Sequence, residues 1–166
     1  MVMNTHEGSS VSSAGVGLSQ PAAAPRPPLF HGEFLHLVTR FELEDLRRTL
    51  TFNRGELPPD LETKLQKLAG QGLGSQMLEH HCRWFAALWI AARQGRFQHS
   101  TPEQTERLLR VLAYVRKDED AIPDYSPGGF ADDQHEVQAA AAELRNLLCA
   151  FKQWRLRHQV PAMWKS

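Results

Sequence analysis

From Phe34 to Phe151 apolar residues return every three or four positions, and no stretch of useful length alternates strictly between apolar and polar. That spacing follows the 3.6-residue turn of an α-helix rather than the two-residue repeat of a half-buried strand, so the fold class is predicted to be all-α. Phe34, Leu37, Val38 and Phe41, then Leu43, Leu46 and Leu50, mark a first helix ending near Thr51. Asn53-Arg54-Gly55 and Pro58-Pro59 break the chain. Leu61, Leu65 and Leu68 mark a short second helix stopped by Gly70, Gly72 and Gly74. Ser75 is placed to cap a third helix, in which Met77 or Leu78, Cys82, Phe85, Leu88 or Trp89, and Ala92 recur at helical spacing. This is the most apolar helix, and burial on more than one face puts it in the middle of the bundle. Thr101-Pro102-Glu103-Gln104 is a helix start with a Thr cap, Pro at the first helical position and Gln reaching back, after which Leu108, Leu109, Leu112 and Val115 face inward. A final helix is predicted from about Asp133 to His158 on Val137, Ala141, Leu144, Leu148 and Phe151, before Pro161 forbids continuation. The expected architecture is a bundle of about five helices over residues 30–166.

Residues 1–29 are dominated by Ser, Ala, Gly and Pro and hold almost nothing large and apolar, so they are expected to form a disordered N-terminal tail. The remainder suits a single domain, because 42% hydrophobic and 23% charged residues match ordinary globular usage. Nineteen basic and nineteen acidic residues give a formal charge of zero, so no whole-molecule field steers the chain towards nucleic acid or anionic lipid. The longest apolar run, Trp84 to Ala92, lies between Arg83 and Arg93 and falls far short of the ~20 residues of a spanning helix. Cys82 and Cys149 stand far apart and outside any C-x-x-C, which favours a reducing compartment and two buried, unreactive thiols over a disulfide or zinc site. A cytoplasmic location is the expectation.

The most informative segment joins the last two helices, for seven carboxylates fall between Lys117 and Glu136. Pro123 biases Ile122 towards extended backbone, Pro127 fixes its own φ and Gly128-Gly129 permits positive φ, so one defined loop shape is expected, anchored by Ile122, Tyr125 and Phe130. Two roles suit its acids. Asp132 and Asp133 are placed to cap the last helix, with Glu136 completing a capping-box-like arrangement from Asp133. Alternatively Asp120, Asp124, Asp132 and Asp133 converge as hard oxygen ligands for Mg²⁺, Mn²⁺ or Ca²⁺, because clustered carboxylates repel unless a cation neutralises them. An EF-hand is excluded, since Ile122 and Pro123 stand where its next oxygen ligand and its glycine belong.

Tyr114, Asp120, Ile122, Pro123, Asp124, Pro127, Asp132 and Asp133 follow in this order a pattern that resembles the YkvA-like family of small bacterial domains of unknown function. Gly129 falls one position early, although the Gly-Phe-Ala-Asp-Asp run itself fits. The resemblance covers about residues 109–142. Asp118 replaces the proline that the pattern places two residues before Asp120, and the flanking helices carry charges where the family is often very apolar. The resemblance therefore implies a structural motif, and neither a reaction nor a membrane association comes with it.

Glu79-His80-His81-Cys82 has metal-binding residue types, but successive helical residues point about 100° apart and cannot all reach one ion. Lys152, Arg155, Arg157 and Lys165, interleaved with Trp154 and Trp164, are first of all cations at a helix C-terminus, with no strong nucleic-acid signal. The sequence contains none of the phosphate-loop, dinucleotide, nucleophile-elbow or zinc-protease motifs, so no catalytic and no cofactor-binding residue is named. The leading expectation is a non-catalytic interaction module recognising an unidentified protein partner through Asp118, Glu119, Asp124, Tyr125, Asp133, His135 and Glu136. Its rival is a divalent-metal protein, or a metal-assisted hydrolase, with the four aspartates as ligands and His135 or Glu136 as general base.

Overall fold

The structure, a computed structural model, describes residues 34–117 and 130–158. These form a 3₁₀ turn (Leu35–Leu37) followed by α1 (Arg40–Phe52), α2 (Pro59–Ala69), α3 (Leu73–Arg93), α4 (Pro102–Arg116), α5 (Ala131–Glu143) and α6 (Arg145–His158), with no strand among the described residues. The all-α expectation holds. The 1–29 tail, residues 118–129 of the acidic loop and Pro161 lie outside the described residues.

Several helix limits differ from the sequence reading. The first helix starts at Arg40 because Thr39 forms a capping box: its hydroxyl accepts from the Glu42 N–H, and the Glu42 carboxylate accepts from the Thr39 N–H at 2.7 Å. Ahead of it the 3₁₀ turn buries Leu35 and Val38 and leaves Leu37 and Phe41 exposed. Gly72, at φ 135°, is the N-cap of α3, so Ser75 lies inside the first turn and is buried. The Thr101 start of α4 forms as expected, with the Gln104 side chain accepting from the Thr101 N–H at 2.9 Å.

The expected final helix is two helices. Leu144 departs from helical geometry at φ −96°, ψ 18°, although its N–H still reaches the Ala140 carbonyl at 2.9 Å. Neither proline nor glycine marks this break. Beyond it α6 has an aromatic anchor of its own, in which Phe151 meets Trp84 at 5.5 Å, Phe97 at 5.2 Å and Trp154 at 5.6 Å between ring centroids. Edge-to-face and offset pairs of this kind contribute roughly 0.5–1.5 kcal/mol each beyond their burial.

Helix α3 occupies the centre, in contact with α1, α2, α4 and α5, and buries Leu78, Cys82, Phe85, Leu88, Trp89 and Ile90. Helix α4 shares that position, since Val111, Ala113 and Tyr114 are buried along with the four positions expected to face inward. Burial pushes the Cys82 thiol far up, out of reach of ordinary pH. Cys149, expected to be buried, is exposed on α6.

Both α1 and α3 end in Schellman motifs. After α3, Gly95 and Arg96 donate to Ala92 and Ala91, with Gly95 at φ 69°; after α1, Arg54 and Gly55 donate to Thr51 and Leu50, with Arg54 at φ 55°. Gly55 carries a second constraint, because a Cβ there would lie 2.2 Å from Ile90 Cγ2. Gly95→Ala, with open space around it, should lose about 1–2 kcal/mol from the left-handed backbone alone. Gly55→Ala should lose clearly more by urea unfolding, and equal losses would mean that Ile90 yields without cost.

Candidate functional site

Helix α5 opens with Phe130 as its N-cap and with no side-chain cap, so Asp132 and Asp133 fall inside the first turn. The capping-box reading of Asp133 and Glu136 is thereby corrected. Asp132, Asp133 and Glu136 are 2%, 0% and 0% exposed. From the first turn they still complement the helix dipole, but their side chains point into the bundle.

Each inward acid meets a defined group. The Tyr114 hydroxyl, at the end of α4, donates to Asp132 Oδ2 at 2.5 Å in a fully buried contact. The Phe34 N–H donates to Glu136 Oε1 at 3.2 Å, and the Phe34 ring stacks on Tyr114 with centroids 6.0 Å apart. Lys64 Nζ of α2 lies 3.4 Å from Asp133 Oδ2, in a pair whose side chains are 8% and 0% exposed. The same ammonium donates to the Val115 and Lys117 carbonyls, both at 2.6 Å. Those carbonyls end α4, where the helix leaves backbone acceptors unsatisfied and its dipole favours a cation. One buried ammonium therefore closes α4 and neutralises an acid at the start of α5.

The C-terminus of α4 is held from several sides. Lys117 Nζ donates to Glu42 Oε1 at 2.6 Å and to the Leu37 carbonyl at 3.2 Å. Arg116 bonds Asp45 of α1 at 2.9 Å and Asp60 of α2 at 2.8 Å. Lys64 also lies 6.0 Å from the centre of the Phe130 ring. Lys117 and Phe130 are the two residues that flank the 118–129 segment, so both of its attachment points meet the Lys64 ammonium.

The structure thus gathers Asp132, Asp133 and Glu136, and it places His135 half-buried beside them, edge-on to Phe34 at 6.4 Å. Asp118, Glu119, Asp120, Asp124 and Tyr125 lie outside the described residues. Asp133 and Glu136 are corrected as members of an exposed recognition surface, because neither presents area to solvent. Among the described residues no group of three or more His, Cys, Asp and Glu side chains is arranged to hold a metal ion, and a lysine stands where a cation would neutralise Asp133. His80, His81 and Cys82 diverge as their spacing requires: His80 is exposed, Cys82 buried.

Sequence reasoning missed Lys64, yet a signal was present. Leu61, Lys64, Leu65 and Leu68 stand at i, i+3, i+4 and i+7, so the lysine belongs to the apolar face of its helix. Asp133, Glu136, Val137 and Ala140 repeat that spacing in α5. A cation on one buried stripe and acids on another mark an interior pair. No family model, no curated protein and no solved structure matches this chain, so the YkvA-like resemblance rests on its motif alone.

Lys64→Met should lose about 3–5 kcal/mol by denaturant unfolding, because it removes the ammonium that is paired with a buried carboxylate. Adding Asp133→Asn should recover part of that loss, and strictly additive losses would show that the two groups do not interact. Acid stability provides a separate check at Glu42. Burial pushes its carboxyl up, but hydrogen bonds from Lys117 and Thr39 outweigh this and hold it below its ordinary value of 4.5. Its contribution is present above that value and is lost as pH falls through the lower folded value. Glu42→Gln should therefore flatten the acid limb of the stability curve while also lowering stability near neutrality.

Proposed function

We propose that the chain is a non-catalytic interaction module, in which the helical bundle acts as a fixed base for the acidic 118–129 segment and that segment recognises a protein partner. The single observation that carries this reading is the Lys64 hub, which engages Lys117 on one side of the segment and Asp133 and Phe130 on the other. A recognition loop gains affinity when its ends are held, since less conformational freedom is lost on binding. The YkvA-like motif suits the same reading. Tyr114 and Asp132, two of its residues that lie 18 positions apart, are joined by a hydrogen bond, which gives the pattern a structural reason to recur as a unit. The partner's contact surface is expected to be basic, because Asp118, Glu119, Asp120 and Asp124 all fall within the segment. Two free cysteines, one of them exposed, suit a reducing compartment and hence the cytoplasm. No helix among the described residues is long and apolar enough to cross a membrane.

The wild-type chain and a variant carrying Asp118→Asn, Glu119→Gln, Asp120→Asn and Asp124→Asn, each immobilised, should capture different proteins from the same extract. The wild-type set should shrink as salt is raised, while both forms retain a helical circular-dichroism spectrum. Identical captured sets would sink the proposal. A melt against chelator separates the metal reading, since Mg²⁺, Mn²⁺ or Ca²⁺ at a hundred times its dissociation constant would add about 2.7 kcal/mol of stability.

A further inference from the structure

A groove of about 350 Å³ runs between α3 and the α5–α6 pair, away from the residues of the Lys64 hub. Its apolar walls include Trp84, Leu148 and Ala141, and its remaining lining includes His80, His81, Arg145 and Lys152, with no carboxylate among the lining residues. The two sides are set by helical spacing. His80 and His81 stand four and three residues before Trp84, while Ala141, Arg145, Leu148 and Lys152 follow one another at intervals of four, three and four.

Three observations identify what this groove would hold. Most cations near the bundle's core are already matched: Arg83 with Glu62 and Glu79, Arg116 with Asp45 and Asp60, Lys117 with Glu42 and Arg107 with Glu143. Arg145 and Lys152 enter no ion pair with any described residue, so their charge is available to a ligand. The Trp84 wall is packed from behind, with Phe151 edge-on at 5.5 Å and the Arg155 guanidinium 4.9 Å over its ring. Partial desolvation first, and then the neighbouring His81 and Lys152, hold the pKa of His80 below its usual value. A groove of this size, mostly apolar with a few convergent polar groups, has the dimensions of a small-molecule site.

We propose that the α3/α6 groove binds a small amphiphilic anion, its carboxylate or phosphate head between Arg145 and Lys152 and its apolar body against Trp84 and Leu148. Guanidinium and ammonium groups reward an anionic head through charge-assisted hydrogen bonds, whereas the indole wall rewards only an apolar body. Neither half of the groove accounts for both features of its lining. This inference does not depend on the interaction reading of the acidic segment.

Cys149 lies in the groove lining and is exposed, whereas Cys82 is fully buried, so alkylation of the folded protein by neutral iodoacetamide reports on Cys149 alone. Decanoate and decyl phosphate, below their micelle concentrations, should each slow that alkylation several-fold, and protection by only one of them would assign the head group. Decanol and decyltrimethylammonium should protect far less. In an Arg145→Gln, Lys152→Gln variant the anions should lose their advantage while the melting temperature holds, since both side chains are exposed. Equal protection by the cationic or neutral chain, undiminished protection in the variant, or no protection by either anion would overturn the proposal.

Discussion

The ammonium of Lys64 lies where three segments distant in sequence converge: its own helix α2, the last carbonyls of α4, and the first turn of α5. A buried charge is costly unless it is paired and hydrogen-bonded, and here Lys64 donates to two carbonyls and forms an ion pair with the Asp133 carboxylate. The consequence is directional as well as energetic. The C-terminus of α4 presents partial negative charge and the first turn of α5 carries buried acids, so one cation between them relieves a conflict that would otherwise drive the two helix ends apart. Apolar packing among α2, α3 and α4 brings the helices together without fixing where α4 must stop and α5 begin. The Lys64 contacts supply that specification, and the Arg116 and Lys117 ion pairs to α1 and α2 reinforce it from outside.

This arrangement explains why three acids from the loop's end turned out to be interior groups. Read from the sequence, Asp132 and Asp133 look like capping residues, because carboxylates beside a helix start usually accept from free N–H groups. The helix begins one turn earlier in relation to them than that reading requires, with Phe130 at the N-cap, and their side chains then project towards Tyr114 and Lys64. Charge alone therefore does not place a residue outside. Its register against the apolar stripe does, and Lys64 of α2 and Asp133 and Glu136 of α5 are the charged residues that sit on the stripe.

Much of the fold was legible in short-range chemistry. The Thr101-Pro102-Glu103-Gln104 start, the Leu61, Leu65 and Leu68 face and the central place of α3 follow from spacing and capping rules, and the structure shows each of them. The α1 start was equally written in Thr39-Arg40-Phe41-Glu42 but was masked by the apolar residues before it, which form a 3₁₀ turn with a similar period. The break at Leu144 had no local sign, since the three-and-four spacing continues across it, and beyond it α6 packs through Phe151 against Trp84 and Phe97, residues far away in sequence. Of the candidate site, the identity of the acids was legible and their partners were not, because Tyr114 and Lys64 are brought to them only by tertiary packing.

A net charge of zero describes the sum and hides its distribution. The acids of this chain are concentrated between Lys117 and Glu136, and part of that set is consumed inside the bundle by Lys64 and Tyr114. Since the totals are equal, acids concentrated in one segment leave cations in surplus elsewhere, and Arg145 and Lys152 on the α6 side are two of them. Local fields of opposite sign can then coexist on a chain whose long-range field vanishes, because at physiological ionic strength a charge is screened within about 8 Å and each patch is sensed only by what comes close to it. Neutrality thus argues against steering from a distance, and is fully compatible with short-range recognition of a basic surface at one place and of an anion at another.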